Sequence, residues 1–125
     1  MIKIKVFKLN DQKFINAFKN LSENDKLGAS IMPIVRVTKK ILEEYESFEK
    51  AKISIYKRFG KRIDDQYIVK INELDEKDAE LFNSEITALF NMDIDLPIEE
   101  KIKVNFDCGL RPIDFVILDE IIEVV

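Results

Sequence analysis

Acidic side chains that could bind a metal ion cluster between residues 93 and 100. Asp93 and Asp95 alternate with apolar residues, and Glu99 and Glu100 follow them. A hard cation such as Ca²⁺ or Mg²⁺ binds several carboxylate oxygens, so the Asp-x-Asp spacing is compatible with one. An EF-hand also needs a turn glycine and a terminal glutamate, but Pro97 interrupts the segment. We therefore interpret the two aspartates as the solvent face of a strand and predict no metal site.

Other chemistry is restricted by residues that the chain lacks. Its 125 residues include no histidine and one cysteine, Cys108. Ser-His and Cys-His relays and most zinc sites are thereby excluded, as are an internal disulfide and a cysteine-only metal site. The three glycines are isolated, so no phosphate-binding loop is present. We predict a protein that is not an enzyme and has no cofactor or small-molecule substrate, with a carboxylate or metal enzyme as an alternative.

Charge is divided unequally between the two halves of the chain. Residues 1–62 contain 15 basic and seven acidic residues, a net +8, whereas residues 63–125 contain five basic and 17 acidic residues, a net −12. Two explanations are open: the halves neutralise each other within the fold, or they bind partners or stack head to tail. In the second case Arg58, Lys61 and Arg62 are the candidate contacts. Nucleic-acid binding is disfavoured by the acidic half and by the lack of a known motif.

One long helix is predicted over about residues 30–59. It contains Arg58 near its end and leads directly to Lys61 and Arg62. Its apolar stripe advances in alternating steps of four and three residues, the period of a helix. The stripe consists of Ile34, Thr38, Ile41, Tyr45, Phe48, Ile55 and Phe59, with Lys52 as a polar member. Ser30 is expected to be the N-cap, and Gly60 to end the helix in the left-handed conformation.

Further apolar residues widen this stripe. Ile31, Val35, Leu42 and Tyr56 lie beside it, which favours a helix packed against a domain. The aromatic residues Tyr45, Phe48 and Tyr56 are interpreted as core or protein-interface residues, because they share the helical spacing. A stripe of this length exceeds what a small core can cover, so we predict self-association or a protein partner.

The remaining patterns predict short strands and helices. Strands are expected at residues 2–6, 66–72, 92–96 and 101–106, with residues 61–65 as a loop. Helices are expected from Asn10, as N-cap, to about Leu21, from Asp75, as N-cap, to about Asn91, and from Pro112 onward. The last helix is expected to bury Ile113, Val116, Ile117 and Ile121 on one face.

Together these elements predict an α+β fold in a single domain, residues 1–125. One small sheet of three or four short strands would pack against a helical layer dominated by the long helix. The first helix and the long helix would form an antiparallel pair. No apolar run is long enough for a membrane span, and the N-terminus lacks the apolar region of a signal peptide. The chain is therefore not expected to be secreted through a signal peptide.

Part of the sequence resembles small phage and prophage proteins. The resemblance includes Val37–Lys50, with its Phe-Glu pair, and the end of the long helix at Tyr56-Lys57-Arg58-Phe59-Gly60. An acidic helix around Glu80–Glu85 and a Leu-x-Pro-x-Asp element at Leu110, Pro112 and Asp114 follow. Lys52 stands near where these proteins usually have arginine. The resemblance implies a phage-encoded, non-enzymatic protein that is located in the cytoplasm of the host cell or in the assembled virion, and it assigns no functional residue.

The function predicted from these observations is that of a phage-type structural or assembly protein that binds other proteins. A second hypothesis is a phage-encoded inhibitor whose acidic half occupies a basic groove of a bacterial defence protein. Both need a protein partner, and they differ in which surface makes the contact.

Overall fold

The long helix, α2, spans Ile31–Phe59 in the computed structural model, which describes all 125 residues. Its start differs from the expected cap. Ser30 makes no capping bond to the first turn, and its hydroxyl instead donates to the Lys103 carbonyl at 2.6 Å. This bond ties the start of α2 to a strand far along the chain.

The end of α2 also differs in mechanism from the prediction. Gly60 has φ −115° and is extended, so the predicted left-handed conformation is wrong. Glycine is still required there, because a Cβ atom would lie 2.5 Å from the Ile68 carbonyl oxygen and 2.8 Å from that of Tyr56. The helix therefore ends where the returning chain passes too close for a side chain.

The other elements are short. The helices are α1 (Gln12–Ser22), α3 (Glu76–Phe90) and α4 (Pro112–Ile117). The strands are β1 (Lys3–Lys5), β2 (Lys61–Ile63), β3 (Gln66–Ile68), β4 (Asp93–Asp95), β5 (Ile102–Val104) and β6 (Ile122–Val124). One predicted cap is confirmed and one is wrong: the Asp75 carboxylate accepts from the Asp78 N–H at 2.7 Å, as predicted, whereas Asp11 and not Asn10 caps α1, by accepting from the Lys13 N–H.

The α+β class and the dominant long helix are confirmed. The strands, however, form three two-stranded sheets rather than one sheet: β1 with β4 and β2 with β3 are antiparallel, and β5 with β6 is parallel. Each strand is only three residues long, so each pair is completed by packing on helices and not by further strands.

The hairpin of β2 and β3 differs from the prediction of a loop at 61–65 and a strand at 66–72. Asp64 and Asp65 have φ of 49° and 65°. Positive φ at both central residues is the requirement of the tight turn that matches strand twist, and Asp tolerates it better than most residues. The second strand ends at Ile68 because a 3₁₀ turn forms at Ile71–Glu73.

The C-terminal segment corrects another prediction. Helix α4 ends at Ile117, so helical spacing cannot carry Ile121 onto the same face. Ile113 and Val116 are exposed, Val116 by 69%, and the buried residue of this helix is Asp114. Ile121 and Ile122 are buried where the strand β6 begins. The sequence pattern does not predict this strand.

Helix α1 lies antiparallel to the first part of α2, as predicted. The Lys52 ammonium donates to the side chain of Asn10, just before α1, at 3.4 Å, and the end of α1 leads back to the start of α2. The larger helical contact of α2, however, is with α3. No helix has the combination of length and apolar composition needed to cross a membrane.

Buried residues divide the molecule into two regions, which we call the body and the arm. The body comprises residues 1–48 and 90–125 and contains a continuous cluster of 22 buried apolar residues. The arm comprises residues 49–89: the end of α2, the β2–β3 hairpin and α3. Only Ile55 and Phe82 are buried within it.

Candidate functional site

Helix α2 carries two apolar seams along its length. The inner seam consists of residues spaced by seven, Ile34, Ile41, Phe48 and Ile55, and all four are buried. The outer seam consists of Ile31, Val35, Leu42 and Tyr45, and all four are between 38% and 63% exposed. The residues predicted to widen a buried stripe therefore include three that remain on the surface.

The outer seam has the spacing of a coiled-coil interface. Its four residues, with Thr38 between them, advance by four and three residues in turn. Continuing the same steps leads to Glu49, Lys52 and Tyr56. A repeat of seven residues keeps one line of side chains facing a second helix. In this structure no second helix covers the four apolar residues of the outer seam, whereas Tyr56 packs against Phe82 of α3.

An apolar groove follows the middle of the outer seam. It has a volume of about 390 Å³ and lies between α1 and α2. Its lining is Ile15, Phe18, Lys19, Ser22, Thr38, Ile41, Leu42 and Tyr45. The Thr38 hydroxyl has no hydrogen-bond partner. The groove can bury the apolar side chains of another protein, and it presents no cluster of reactive groups.

The three predicted aromatic contacts have different environments. Tyr45 is exposed and lines the groove. Phe48 is only 3% exposed and packs against Phe90 with ring centroids 5.9 Å apart. Tyr56 is half-buried and packs against Phe82 at the same distance. Of the three aromatic residues, only Tyr45 is exposed enough to contact a partner, and Phe48 belongs to the core.

The predicted basic contacts lie in the arm. Arg58 donates to the Glu85 carboxylate of α3 at 2.5 Å, and Arg62 donates to Asp65 across the hairpin turn at 2.8 Å. Lys61 is exposed and makes no ion pair. Arg58 is thus engaged with the acidic half of its own chain, which is the intramolecular explanation of the divided charge.

Ion pairs in the body give the same result. Lys5 contacts Asp93 at 2.8 Å and Lys3 contacts Asp95 at 3.3 Å, on the exposed face of the β1–β4 pair. The hydrogen bond from Lys5 lowers the pKa of Asp93 below its ordinary value. On α2 the hydrogen bond with Glu44 raises the pKa of Lys40.

Metal-binding geometry is not found. No group of three or more carboxylate or thiol side chains converges on one point. The acidic segment at residues 93–100 is a strand followed by a turn. Side chains alternate along it, so Ile94 and Leu96 face inward whereas Asp93 and Asp95 face the solvent.

A polar group that the sequence pattern does not single out as buried is Asp114. Its carboxylate accepts from the Arg111 N–H at 3.1 Å, from the Arg111 guanidinium at 3.2 Å and from the Asn20 amide at 3.4 Å. It borders a polar cleft of about 640 Å³ between α1 and the segment before α4. Because these bonds fix the start of α4 against α1, we assign Asp114 a structural role. The sequence signal for this residue is Pro112 followed by an acidic side chain in the first helical turn. That pattern indicates the start of a helix but not the burial of the carboxylate.

Comparison of the chain with protein-family models, with characterised proteins and with solved structures finds no match. The candidate site therefore rests on geometry alone: an exposed apolar seam, with coiled-coil spacing, beside an apolar groove.

Proposed function

We propose that this chain is a non-enzymatic, phage-type structural or assembly protein that acts by binding protein along the outer seam. The observation that carries the proposal is the exposure of that seam. Four large apolar residues at regular spacing stand on one helix face, whereas single exposed apolar residues are scattered on most proteins. Such a face is stabilised when a partner removes it from water.

The polar residues support a binding role over a catalytic one. The buried carboxylate of Asp114 and the exposed ones of Asp93 and Asp95 all contact cationic or amide groups of the same chain. The phage assignment is supported by the resemblance of Val37–Gly60 to small phage and prophage proteins. The proposed location is accordingly the host cytoplasm or the assembled particle.

The experiment is deletion of the gene from the phage or prophage that carries it. We expect fewer or incomplete particles by electron microscopy, restored by the wild-type chain and not by Leu42→Glu. Leu81→Glu, at an exposed leucine of α3, is the matched control and should restore particles. Full particle yield without the gene would contradict the proposal.

A second candidate function is inhibition of a bacterial defence protein, supported by the charge of the arm. Glu76, Asp78 and Glu80 are exposed in the first turns of α3, and none of them makes an ion pair with another side chain. This uncompensated negative surface fits a basic groove.

Charge reversal of these three residues to lysine separates the two candidates. Inhibition through the acidic surface predicts that the triple variant no longer protects an infecting phage, although its particles assemble normally. Protection that survives the triple change would eliminate the acidic surface as the contact. Loss of particle assembly in Leu42→Glu alone favours the first function.

A further inference from the structure

We infer that the partner on the outer seam is a second copy of this chain, packed antiparallel so that two α2 helices pair about a twofold axis. The inference rests on the proposed protein-binding function and names its partner. The axis would pass between Leu42 and Tyr45, the most central apolar residues of the seam. Each Leu42 would then lie level with Tyr45 of the second copy, beside the apolar groove.

The polar residues in the seam select the antiparallel arrangement. In a parallel pair in register, Glu49 would face Glu49 and Lys52 would face Lys52, which places like charges together in an apolar interface. In the antiparallel arrangement, Glu49 lies level with Thr38 of the second copy and Lys52 with Val35. The Thr38 hydroxyl is buried without a hydrogen-bond partner in the single chain, and this register brings a carboxylate level with it.

The apolar ends of the seam also match in this register. Ile31, at the exposed start of α2, comes level with Tyr56 of the second copy near its end. A second groove, of about 420 Å³, lies there between Glu49–Tyr56 and the hairpin residues Asp65–Tyr67. The two grooves therefore lie beside successive parts of the same line of seam positions, the first from Thr38 to Tyr45 and the second from Glu49 to Tyr56.

Charges on one flank of the seam are complementary under the same symmetry. Lys39 and Glu46 are each one residue beyond a seam position, and flanks of the same kind meet in an antiparallel pair. Lys39 of each copy would approach Glu46 of the other, twice per dimer. Lys39 has no ion pair in the single chain, and Glu46 pairs only with Lys50, both of them largely exposed. Neither residue has a stronger contact to give up.

The first test is the mass of the purified chain by sedimentation over a range of concentrations. We expect a monomer–dimer equilibrium for the wild type and for Leu81→Glu. Leu42→Glu should weaken dimerisation at least about thirtyfold, since two central apolar side chains are lost per dimer. Leu42 is 63% exposed in the single chain, so the variant should retain its helical circular dichroism. A wild type that stays monomeric at several hundred micromolar would overturn the inference.

The second test exchanges the flanking charges. Lys39→Glu and Glu46→Lys each place two like-charge pairs in the dimer, and each should weaken dimerisation at least about fivefold, with partial recovery in high salt. An equimolar mixture of the two variants should form the heterodimer, because each chain then supplies the charge that the other needs. Thermal unfolding of each variant alone controls for loss of the Glu46–Lys50 pair. Failure of the mixture to associate would exclude the antiparallel register.

The two proposals can fail separately. If the wild type is monomeric but Leu42→Glu still fails to restore particles, the seam binds a different protein and the self-association is wrong. If the wild type dimerises as described but deletion of the gene leaves particle yield unchanged, the dimer stands and the assembly function is wrong.

Discussion

The body and the arm share one helix but bury it to different depths. In the body, Ile34, Val37, Ile41 and Phe48 of α2 pack into the 22-residue cluster together with α1 and the β1–β4 pair. In the arm the inner seam continues with the same spacing, but there α2 packs with the hairpin and α3, and Ile55 lies outside the cluster and at the limit of burial. Identical periodicity gives a core where several elements converge and a thin contact where two do.

The difference also concerns the kind of interaction. The arm is held by a small aromatic group, in which Phe82 packs on Tyr56 and Phe59 with centroids 5.9 and 5.6 Å away, and by the exposed Arg58–Glu85 pair. Regions with few buried apolar contacts open locally at lower free energy than the core. We therefore expect the arm to open before the body unfolds.

The largest expected effect is on the body. Phe48→Ala should lower the free energy of unfolding by about 3–5 kcal/mol, because the buried ring leaves a cavity beside Phe90. Phe106→Ala, at a ring that is 75% exposed, is the matched control and should change it by less than about 0.5 kcal/mol. Denaturant unfolding measures both. Equal losses in the two variants would show that Phe48 is not part of the core.

A smaller effect is expected where the arm begins. Gly60→Ala forces a Cβ atom against the Ile68 carbonyl, so the hairpin must shift at a cost of about 1–3 kcal/mol. Amide exchange should accelerate in residues 61–68 and remain unchanged at β4 and β5. Gly28, with φ +55° and open space around it, is the contrasting glycine.

Asparagine separates the two reasons for glycine. Gly28→Asn should be tolerated because asparagine adopts the left-handed conformation, whereas Gly60→Asn should be as harmful as alanine. If Gly60→Ala left hairpin exchange unchanged, the close approach at the end of α2 would not restrain the arm.

Removal of the ion pair between α2 and α3 should have a still smaller effect. Arg58→Ala is expected to destabilise the arm by about 0.2–1 kcal/mol, because the Arg58 side chain is about half exposed and the pair is screened by solvent. The loss should shrink as salt is raised from about 50 to about 500 mM. Exchange in α3 reports it, and Lys57→Ala, without an ion pair, is the control. A loss independent of salt would assign the effect to the Arg58 guanidinium, which lies over the Phe59 ring.

The smallest expected effect is on the stability of the folded chain at acidic pH. The hydrogen bond from Lys5 lowers the pKa of Asp93 in the folded chain. The stabilisation of the fold by the Lys5–Asp93 pair is therefore complete above the pKa of Asp93 in the unfolded chain, and it is lost as the pH falls through the pKa of Asp93 in the folded chain. Lys5→Met should therefore reduce stability slightly at neutral pH and make no difference once the pH is well below the folded pKa of Asp93. Carboxyl chemical shifts of Asp93 over this range measure the change. An Asp93 that titrates identically in the wild type and in Lys5→Met would show that the pair has no influence.

The sequence alone determined the elements that depend on local interactions. The seven-residue spacing and the polar interruptions specified α2, the Asp75 cap specified the start of α3, and the alternation at Ile4 and Ile94 specified two strands with one buried face. The lack of histidine likewise restricted the possible chemistry through composition alone. Each of the structural signals lies within one or two helical turns or one strand, so no knowledge of distant contacts was needed.

The tertiary structure alone decided which apolar residues of α2 are covered. Ile34 and Leu42 have similar side chains and lie on adjoining faces of the same helix, but only Ile34 meets the body. Strand pairing into three separate sheets, the carbonyl that excludes a side chain at Gly60, and the burial of Asp114 were equally beyond the sequence. Burial depends on which distant elements arrive at a face, and short three-residue strands carry too little pattern to specify their partners.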